Sequence, residues 1–97
     1  MGVVVVESLS CIRVYFAIAA LNRYFAAKRG LSSVEVELLI KELFSRLKLY
    51  FKIDFEKIIN ENTEYYKIVC YDETPGNYST ILVKYDEKTS MLKQILN

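Results

Sequence analysis

Two apolar stripes run along the stretch from Ser8 to Arg29, which we predict to be one long helix. At about 100° per residue, the first stripe contains Cys11, Val14, Ile18, Leu21 and Phe25. The second lies on another side and contains Leu9, Ile12, Phe16, Ala19, Ala20 and Ala27. A helix that is apolar on nearly all sides is normally covered by protein on nearly all sides. Because a short chain can cover only one side, we expect a second copy to cover the other.

The ends of this helix carry sequence signals of their own. Ser8 or Ser10 can accept a hydrogen bond from a free N–H of the first turn, and Gly30 supplies the left-handed residue that ends a helix. Before the helix, Val3 to Val6 are four consecutive β-branched residues, which favour a strand. We therefore predict a short buried strand at the N-terminus, with an extension of the helix as the alternative.

A second helix begins after Ser32, because Ser32 and Glu35 have the spacing of a capping box. Its apolar residues fall on one face, namely Val36, Leu39, Ile40, Leu43, Phe44 and Leu47. The link between the two helices is only two residues long, Leu31 and Ser32, so we predict an antiparallel helical hairpin.

From Leu47 onward the apolar period changes to two, which is typical of strands with one apolar face. We predict one strand from Leu47 to about Phe55, and two more at Glu64–Asp72 and Tyr78–Asp86. Residues 55–60 fit either a strand or a helical turn, and residues 90–96 fit a strand or a short helix. Turns are predicted at residues 60–63, 74–77 (type II, from its Pro-Gly centre) and 86–89.

The predicted fold is a two-layer α+β domain over residues 1–97, with a helical hairpin packed on an antiparallel β-meander of about four strands. An extra N-terminal strand would add to this sheet. The apolar strand positions that form the core with the helices are Leu49, Phe51, Ile53, Tyr66, Ile68, Cys70, Ile81, Val83 and Tyr85.

Composition places the chain among globular proteins without a membrane span. Of its 97 residues 53% are hydrophobic and 26% are charged, and the net charge of +1 gives no long-range attraction for nucleic acid. Glu7, Arg13, Asn22 and Arg23 interrupt the apolar N-terminal part, so no run of about 18 uncharged apolar residues survives. We expect a soluble cytoplasmic protein that does not enter membranes.

Cys11 and Cys70 are the only cysteines, and histidine is absent, which excludes a zinc site of the usual Cys/His type. We expect two buried free thiols, because cysteine is commonly buried on apolar faces. The alternative is a disulfide that joins the first helix to the sheet. Intracellular disulfides occur in hyperthermophiles, and the Tyr-, Ile- and Lys-rich composition without Trp or His is similar to that of short proteins of hyperthermophilic archaea and their viruses.

Enzyme signatures are missing from the chain, and we predict a protein that is not an enzyme and binds no cofactor, metal or evident small-molecule substrate. No histidine is available to transfer protons near neutral pH, and no glycine-rich phosphate loop is present. Asp72 followed by Asp86-x-Lys88 resembles the acidic core of restriction-type nucleases. In the predicted hairpin these two carboxylates lie roughly 25 Å apart, too far to share a metal, so we interpret them as turn residues.

We predict a homodimeric interaction or structural protein. Its dimer interface is predicted on the first helix, at Leu9, Ile12, Phe16, Ala20 and Tyr24. The alternative function is binding of single-stranded nucleic acid by tyrosines and lysines on the open face of the sheet, since bases stack on aromatic rings and lysines hold phosphates. The residues predicted for it are Tyr50, Lys52, Tyr65, Lys67, Tyr71 and Lys84. Cover by another protein fits the same tyrosines.

The predicted order of strand, two helices and three or four strands resembles that of small toxins of the RelE/ParE type. Those proteins are ribonucleases or gyrase poisons that an antitoxin binds, so the resemblance implies a protein partner. It is a resemblance of topology alone. The net charge of +1 departs from the strongly basic character of that family.

Overall fold

The computed structural model describes residues 10–95, which form two helices and one four-stranded sheet. The elements are α1 (Ile12–Ala27), α2 (Ser33–Tyr50), β1 (Ile53–Asn60), β2 (Thr63–Tyr71), β3 (Tyr78–Asp86) and β4 (Met91–Gln94). The strands lie in the order β1-β2-β3-β4, each antiparallel to its neighbour. Along the sheet, α2 contacts β1 and α1 contacts β4. This arrangement confirms the predicted two-layer α+β fold. The strand predicted at Val3 to Val6 lies outside the described residues.

The start of α1 differs from the prediction. Its N-cap is Cys11, whose side chain makes no capping hydrogen bond, so a cap by Ser10 was a wrong prediction. Ser8 lies outside the described residues. At the other end the helix stops at Ala27, because Lys28 is extended and donates its N–H to Tyr24 O at 2.9 Å. Gly30 has the predicted positive φ, +77°, but it lies two residues beyond the C-cap, in the link to α2, so its predicted role in ending the helix was wrong.

The capping box at the start of α2 is confirmed. Ser32 Oγ accepts from the Glu35 N–H at 3.2 Å, and Glu35 Oε1 accepts from the Ser32 N–H at 3.2 Å. The predicted end of this helix was wrong, since α2 continues through Leu47 to Tyr50 and the sheet begins only at Ile53. Leu47 therefore packs against the core as a helical residue, and Leu49, predicted on an apolar strand face, is 79% exposed. The physical reason is that Leu47 and Phe51 are four residues apart, which suits a helix as well as a strand.

The later strands follow the prediction closely. β1 continues through residue 60, and the segment after Ser90 is a strand, which decides both open alternatives. Glu61 and Asn62 have φ of 48° and 68°, as a tight hairpin turn requires. At the next turn Gly76 has φ +87° and the Asn77 N–H donates to Thr74 O at 3.1 Å, as predicted for a type II turn.

The core lies between the helices and one face of the sheet. The first stripe of α1 is buried as predicted at Cys11, Val14, Ile18 and Phe25, and Leu21 is partly buried. From the sheet, Tyr66, Ile68, Cys70, Ile81 and Val83 are buried, and Tyr85 packs against them with its ring 5.4 Å from that of Phe25.

A disulfide joins Cys11 at the start of α1 to Cys70 near the end of β2, so the expectation of two free thiols was wrong. The two Cα atoms are 5.3 Å apart although 59 positions separate them in the sequence, which is an ordinary spacing for a bridge. Both residues are fully buried. The general burial of cysteine, which was the basis of the expectation, does not distinguish a thiol from a disulfide.

Candidate interaction surfaces

The outer face of α1, which points away from the sheet, is almost entirely apolar. We define it by its exposed residues, which are Ile12, Phe16, Ala19, Ala20, Arg23, Ala26 and Ala27. Phe16 is 68% exposed and Ile12 is 41% exposed. The predicted interface residues Ile12, Phe16 and Ala20 therefore lie together on this face. Tyr24, 43% exposed, borders the face on the side of α2, and Leu9 lies outside the described residues.

Three contacts fix the orientation of α1 and so determine which side it presents. The disulfide holds its N-cap residue, Cys11, against β2, and the Asn22 side chain bonds to the backbone of Leu92 on β4. The Arg13 guanidinium lies 4.7 Å from the centre of the Phe51 ring, within the range of a cation–π contact. These contacts hold the first stripe of α1 on the core, so α1 cannot rotate to bury Phe16.

The outer side of α2 carries exposed apolar residues that the sequence analysis overlooked. Val34, Leu38 and Leu49 are 65%, 61% and 79% exposed. The sequence contains their signal, because at about 100° per residue all three fall close to half a turn away from the buried Val36. Charged residues lie between them, including the Glu42–Arg46 pair at 2.8 Å, and they obscure the apolar signal of this side in the sequence.

The outer face of the sheet brings together four of the six residues predicted for nucleic-acid binding. Since Tyr66, Ile68 and Cys70 face the helices, the alternation along β2 places Tyr65, Lys67 and Tyr71 on the opposite face. The register adds Lys84 from β3, and also Tyr78, which pairs with Tyr71. The other two do not lie on a strand. Lys52 precedes β1 with its carbonyl bonded to the Tyr71 N–H at 2.9 Å, and Tyr50 ends α2, so its predicted position on the sheet was wrong.

Acidic residues offset the cations of this outer sheet face. Glu56 lies opposite Lys67 in the register of β1 and β2, and Asp86 lies 3.1 Å from the Lys93 Nζ. The Tyr71 hydroxyl donates to Asp54 at 3.0 Å, and this bond to a carboxylate raises the pKa of Tyr71. The electrostatic attraction of the face for phosphates is therefore weak.

An open cleft of about 1240 Å³ lies where the α1–α2 link meets the β1–β2 and β3–β4 turns. Phe25, Val36 and Tyr66 belong to its lining, together with an ion cluster in which Lys57 bonds to Glu37 and lies 3.4 Å from Glu64. The hydrogen bond from Lys57 lowers the pKa of Glu37, and the same bond raises the pKa of Lys57.

The groups at this cleft are not tuned for proton transfer. Burial raises the pKa of the Tyr66 phenol, which keeps it protonated near neutral pH. All three shifts thus move the pKa values away from neutrality, which is the opposite of what general acid–base catalysis needs.

The carboxylates of the nuclease-like pattern are turn residues, as predicted. Asp72 accepts from the Glu73 N–H at 2.7 Å, and Asp86 accepts from the Lys88 N–H at 3.0 Å and the Thr89 hydroxyl at 3.1 Å. The bond from Lys93 lowers the pKa of Asp86. Between residues 10 and 95, no three His, Cys, Asp or Glu side chains come together in a way that could hold a metal ion.

Comparison of the chain with models of protein families, with curated proteins and with solved structures finds no match. Of the described helices, neither α1 nor α2 combines the length and the apolar character needed to span a membrane.

Proposed function

We propose that the protein is a non-enzymatic homodimeric module that associates through the outer face of α1. The observation that carries this proposal is the exposure of Phe16, 68%, on a face with six other exposed positions of which only Arg23 is polar. Soluble proteins rarely leave large contiguous apolar patches in water, and such patches mark sites of association. A two-fold pair is the commonest way for one chain to cover such a face with itself.

The energetics favour association through this helix. Removing a phenylalanine side chain from water contributes about 2 kcal/mol, and a symmetric pair removes two of them. The exposed alanines add little area of their own, but their small side chains let two helix backbones approach closely. The disulfide and Asn22 keep α1 fixed before association, so little conformational freedom is lost on pairing.

The oligomeric state tests this proposal directly. At micromolar concentration, light scattering coupled to size-exclusion chromatography should give twice the chain mass of 11.3 kDa. Phe16→Asp should give the mass of the single chain. The matched control is Tyr78→Asp, since Tyr78 is 63% exposed on the outer sheet face, and this variant should remain dimeric. A wild-type protein that elutes as a monomer over the whole micromolar range would refute the proposal.

Binding of single-stranded nucleic acid is the second candidate, favoured by the register that brings Tyr65, Lys67, Tyr71 and Lys84 to one face. It requires a salt-dependent change in the fluorescence anisotropy of a labelled oligonucleotide, because phosphate contacts release counterions. The double variant Tyr65→Ala with Lys67→Ala should lose this change, while Phe16→Ala should retain it. No anisotropy change at low salt would eliminate this candidate.

A cytoplasmic location remains a prediction, and the disulfide bears on it. In most organisms the cytosol keeps thiols reduced, whereas hyperthermophiles retain disulfides inside the cell. A cytoplasmic location therefore agrees best with the hyperthermophilic archaeal or viral source that the composition resembles.

A further inference from the structure

We propose that the two copies of α1 pack antiparallel, around a two-fold axis that passes between Ala19 and Ala20. This inference rests on the proposed dimer and adds the orientation of its subunits and the contacts between them. Under this symmetry a residue of one copy faces a residue of the other copy, and the two residue numbers add up to 39. Phe16 thus faces Arg23 of the second copy, and Ile12 faces Ala27.

The sizes of the exposed side chains along α1 favour this orientation. The large residues Ile12 and Phe16 occupy the N-terminal half of the outer face, and the alanines at 26 and 27 occupy the C-terminal half. An antiparallel pair sets the large Ile12 against the small Ala27 and separates the two Phe16 side chains, which gives more even packing at close range. A parallel pair would set Phe16 against Phe16 and alanine against alanine, so the helices would be held apart at one end and leave a gap at the other.

The charges on α1 favour the same orientation. Its only charged residues are Arg13 and Arg23, and it contains no carboxylate. A parallel pair would place two Arg23 side chains side by side without an acid between them. An antiparallel pair places each Arg23 guanidinium over the ring of Phe16 from the other copy, which is a favourable cation–π arrangement.

The spacing of the face suits a second helix. Ile12, Phe16, Ala19, Arg23 and Ala26 follow one another at intervals of four, three, four and three residues. This is the heptad spacing that lets two helices stay in contact over several turns. One helix carries large side chains in its N-terminal half and alanines at its C-terminal end. A second copy of the same chain, turned antiparallel, can therefore fit against it, and the two-fold pair closes on itself.

Cross-linking of variants with one added cysteine tests the orientation. The variants Ala20→Cys and Ala27→Cys make the same small change on the same exposed face, and the native cysteines are occupied by the buried disulfide. In an antiparallel pair the two residues at position 20 lie beside each other, about 8–10 Å apart, whereas those at position 27 lie about 22 Å apart along the axis. A short bismaleimide spans the first distance and not the second, so it should cross-link Ala20→Cys much faster than Ala27→Cys.

The variant Arg23→Gln gives a second, independent test, because it should change the dissociation constant of the dimer in opposite directions for the two orientations. Loss of two cation–π contacts should raise the dissociation constant of an antiparallel dimer by about fivefold or more. Relief of repulsion between adjacent arginines should lower that of a parallel dimer. Lys84→Gln on the outer sheet face removes the same charge and should leave the constant unchanged.

The outcomes separate this inference from the proposed function. A dimer that cross-links equally well at both positions, or that Arg23→Gln tightens, would overturn the antiparallel arrangement and leave the dimer through α1 standing. A wild-type chain that stays monomeric would refute both.

Discussion

Asn22 of α1 forms hydrogen bonds to both backbone groups of Leu92 on β4. Its Nδ2 donates to Leu92 O at 3.0 Å, and the Leu92 N–H donates to its Oδ1 at 2.8 Å. The Ile95 N–H, three residues further on, donates to Leu82 O of β3, so the backbone groups of Leu92 face the open edge of the sheet. The amide therefore takes the place that a fifth strand would occupy, and it blocks pairing of β4 with another chain.

We expect Asn22→Ala to lower the free energy of unfolding by about 1–3 kcal/mol, because it leaves two partly buried backbone groups without their partner. Urea unfolding followed by circular dichroism measures this change. Asn60→Ala, at the exposed end of β1, serves as the control and should change stability by less than about 0.5 kcal/mol. A change for Asn22→Ala that is as small as the one expected for the control would mean that the Asn22–Leu92 bonds contribute nothing to stability.

The disulfide should make a large contribution to stability. For a closed loop with a sequence separation of 59, the chain-entropy model gives about 4 kcal/mol. In a small domain the double variant Cys11→Ala with Cys70→Ala should therefore melt roughly 15 °C or more below the oxidised protein. Calorimetry of both proteins, with reductant added to a sample of each, checks this. Reductant should leave the double variant unchanged, and a melting temperature within a few degrees of the wild type would contradict the prediction.

The capping box predicts a difference between two adjacent serines. Ser32→Ala removes the acceptor of the Glu35 N–H and should cost about 1 kcal/mol of stability. Ser33→Ala changes the first residue of the helix, which is exposed and does not serve as the cap, and it should be neutral or slightly stabilising because alanine favours helices. The comparison requires only denaturant unfolding of the two variants under one set of conditions.

The cluster of Glu37, Lys57 and Glu64 should make stability depend on pH. The bond from Lys57 lowers the pKa of Glu37, so this carboxylate stabilises the fold above the usual carboxyl pKa, and its contribution is lost as the pH falls through its folded pKa. We expect Glu37→Gln to be less stable than the wild type at pH 7, and the difference should disappear at a pH low enough to protonate Glu37 in the folded protein.

The raised pKa of Lys57 makes stability depend on pH in the alkaline range. The stabilisation by protonated Lys57 is complete below the usual lysine pKa and is lost as the pH rises through the folded pKa, which lies above 10.5. Urea unfolding across this pH range measures both effects. Glu87→Gln in the exposed β3–β4 turn is the control, and a Glu37→Gln deficit of constant size at every pH would exclude the proposed linkage.

Features that depend on neighbours in the sequence were predictable. Ser32 and Glu35 satisfy each other's backbone groups across a single turn, and Gly76 provides a local conformation that other residues avoid. The buried stripe of α1 was equally predictable, since the period of its apolar residues identifies one side regardless of what covers it.

Features that depend on tertiary structure were not predictable from the sequence. The apolar pattern of residues 47–51 fits both a helix and a strand. In the structure Leu47 packs on the core as part of α2, so Leu49 and Tyr50 are helical and do not lie on the sheet. Cys11 and Cys70 are distant in the sequence, so their pairing depended on how α1 crosses the sheet. Asn22 likewise bonds to Leu92, in a strand that begins 69 positions later, at Met91, so the sequence near Asn22 does not indicate this contact.

The long separation between Cys11 and Cys70 also sets the order of events during synthesis. At ribosomal rates of about 5–20 residues per second, α1 is made roughly 3–12 s before the strand that supplies its cross-linking partner. Until β2 is made and leaves the ribosome, the cysteine at the start of α1 has no partner, so the cross-link forms late in the life of the nascent chain.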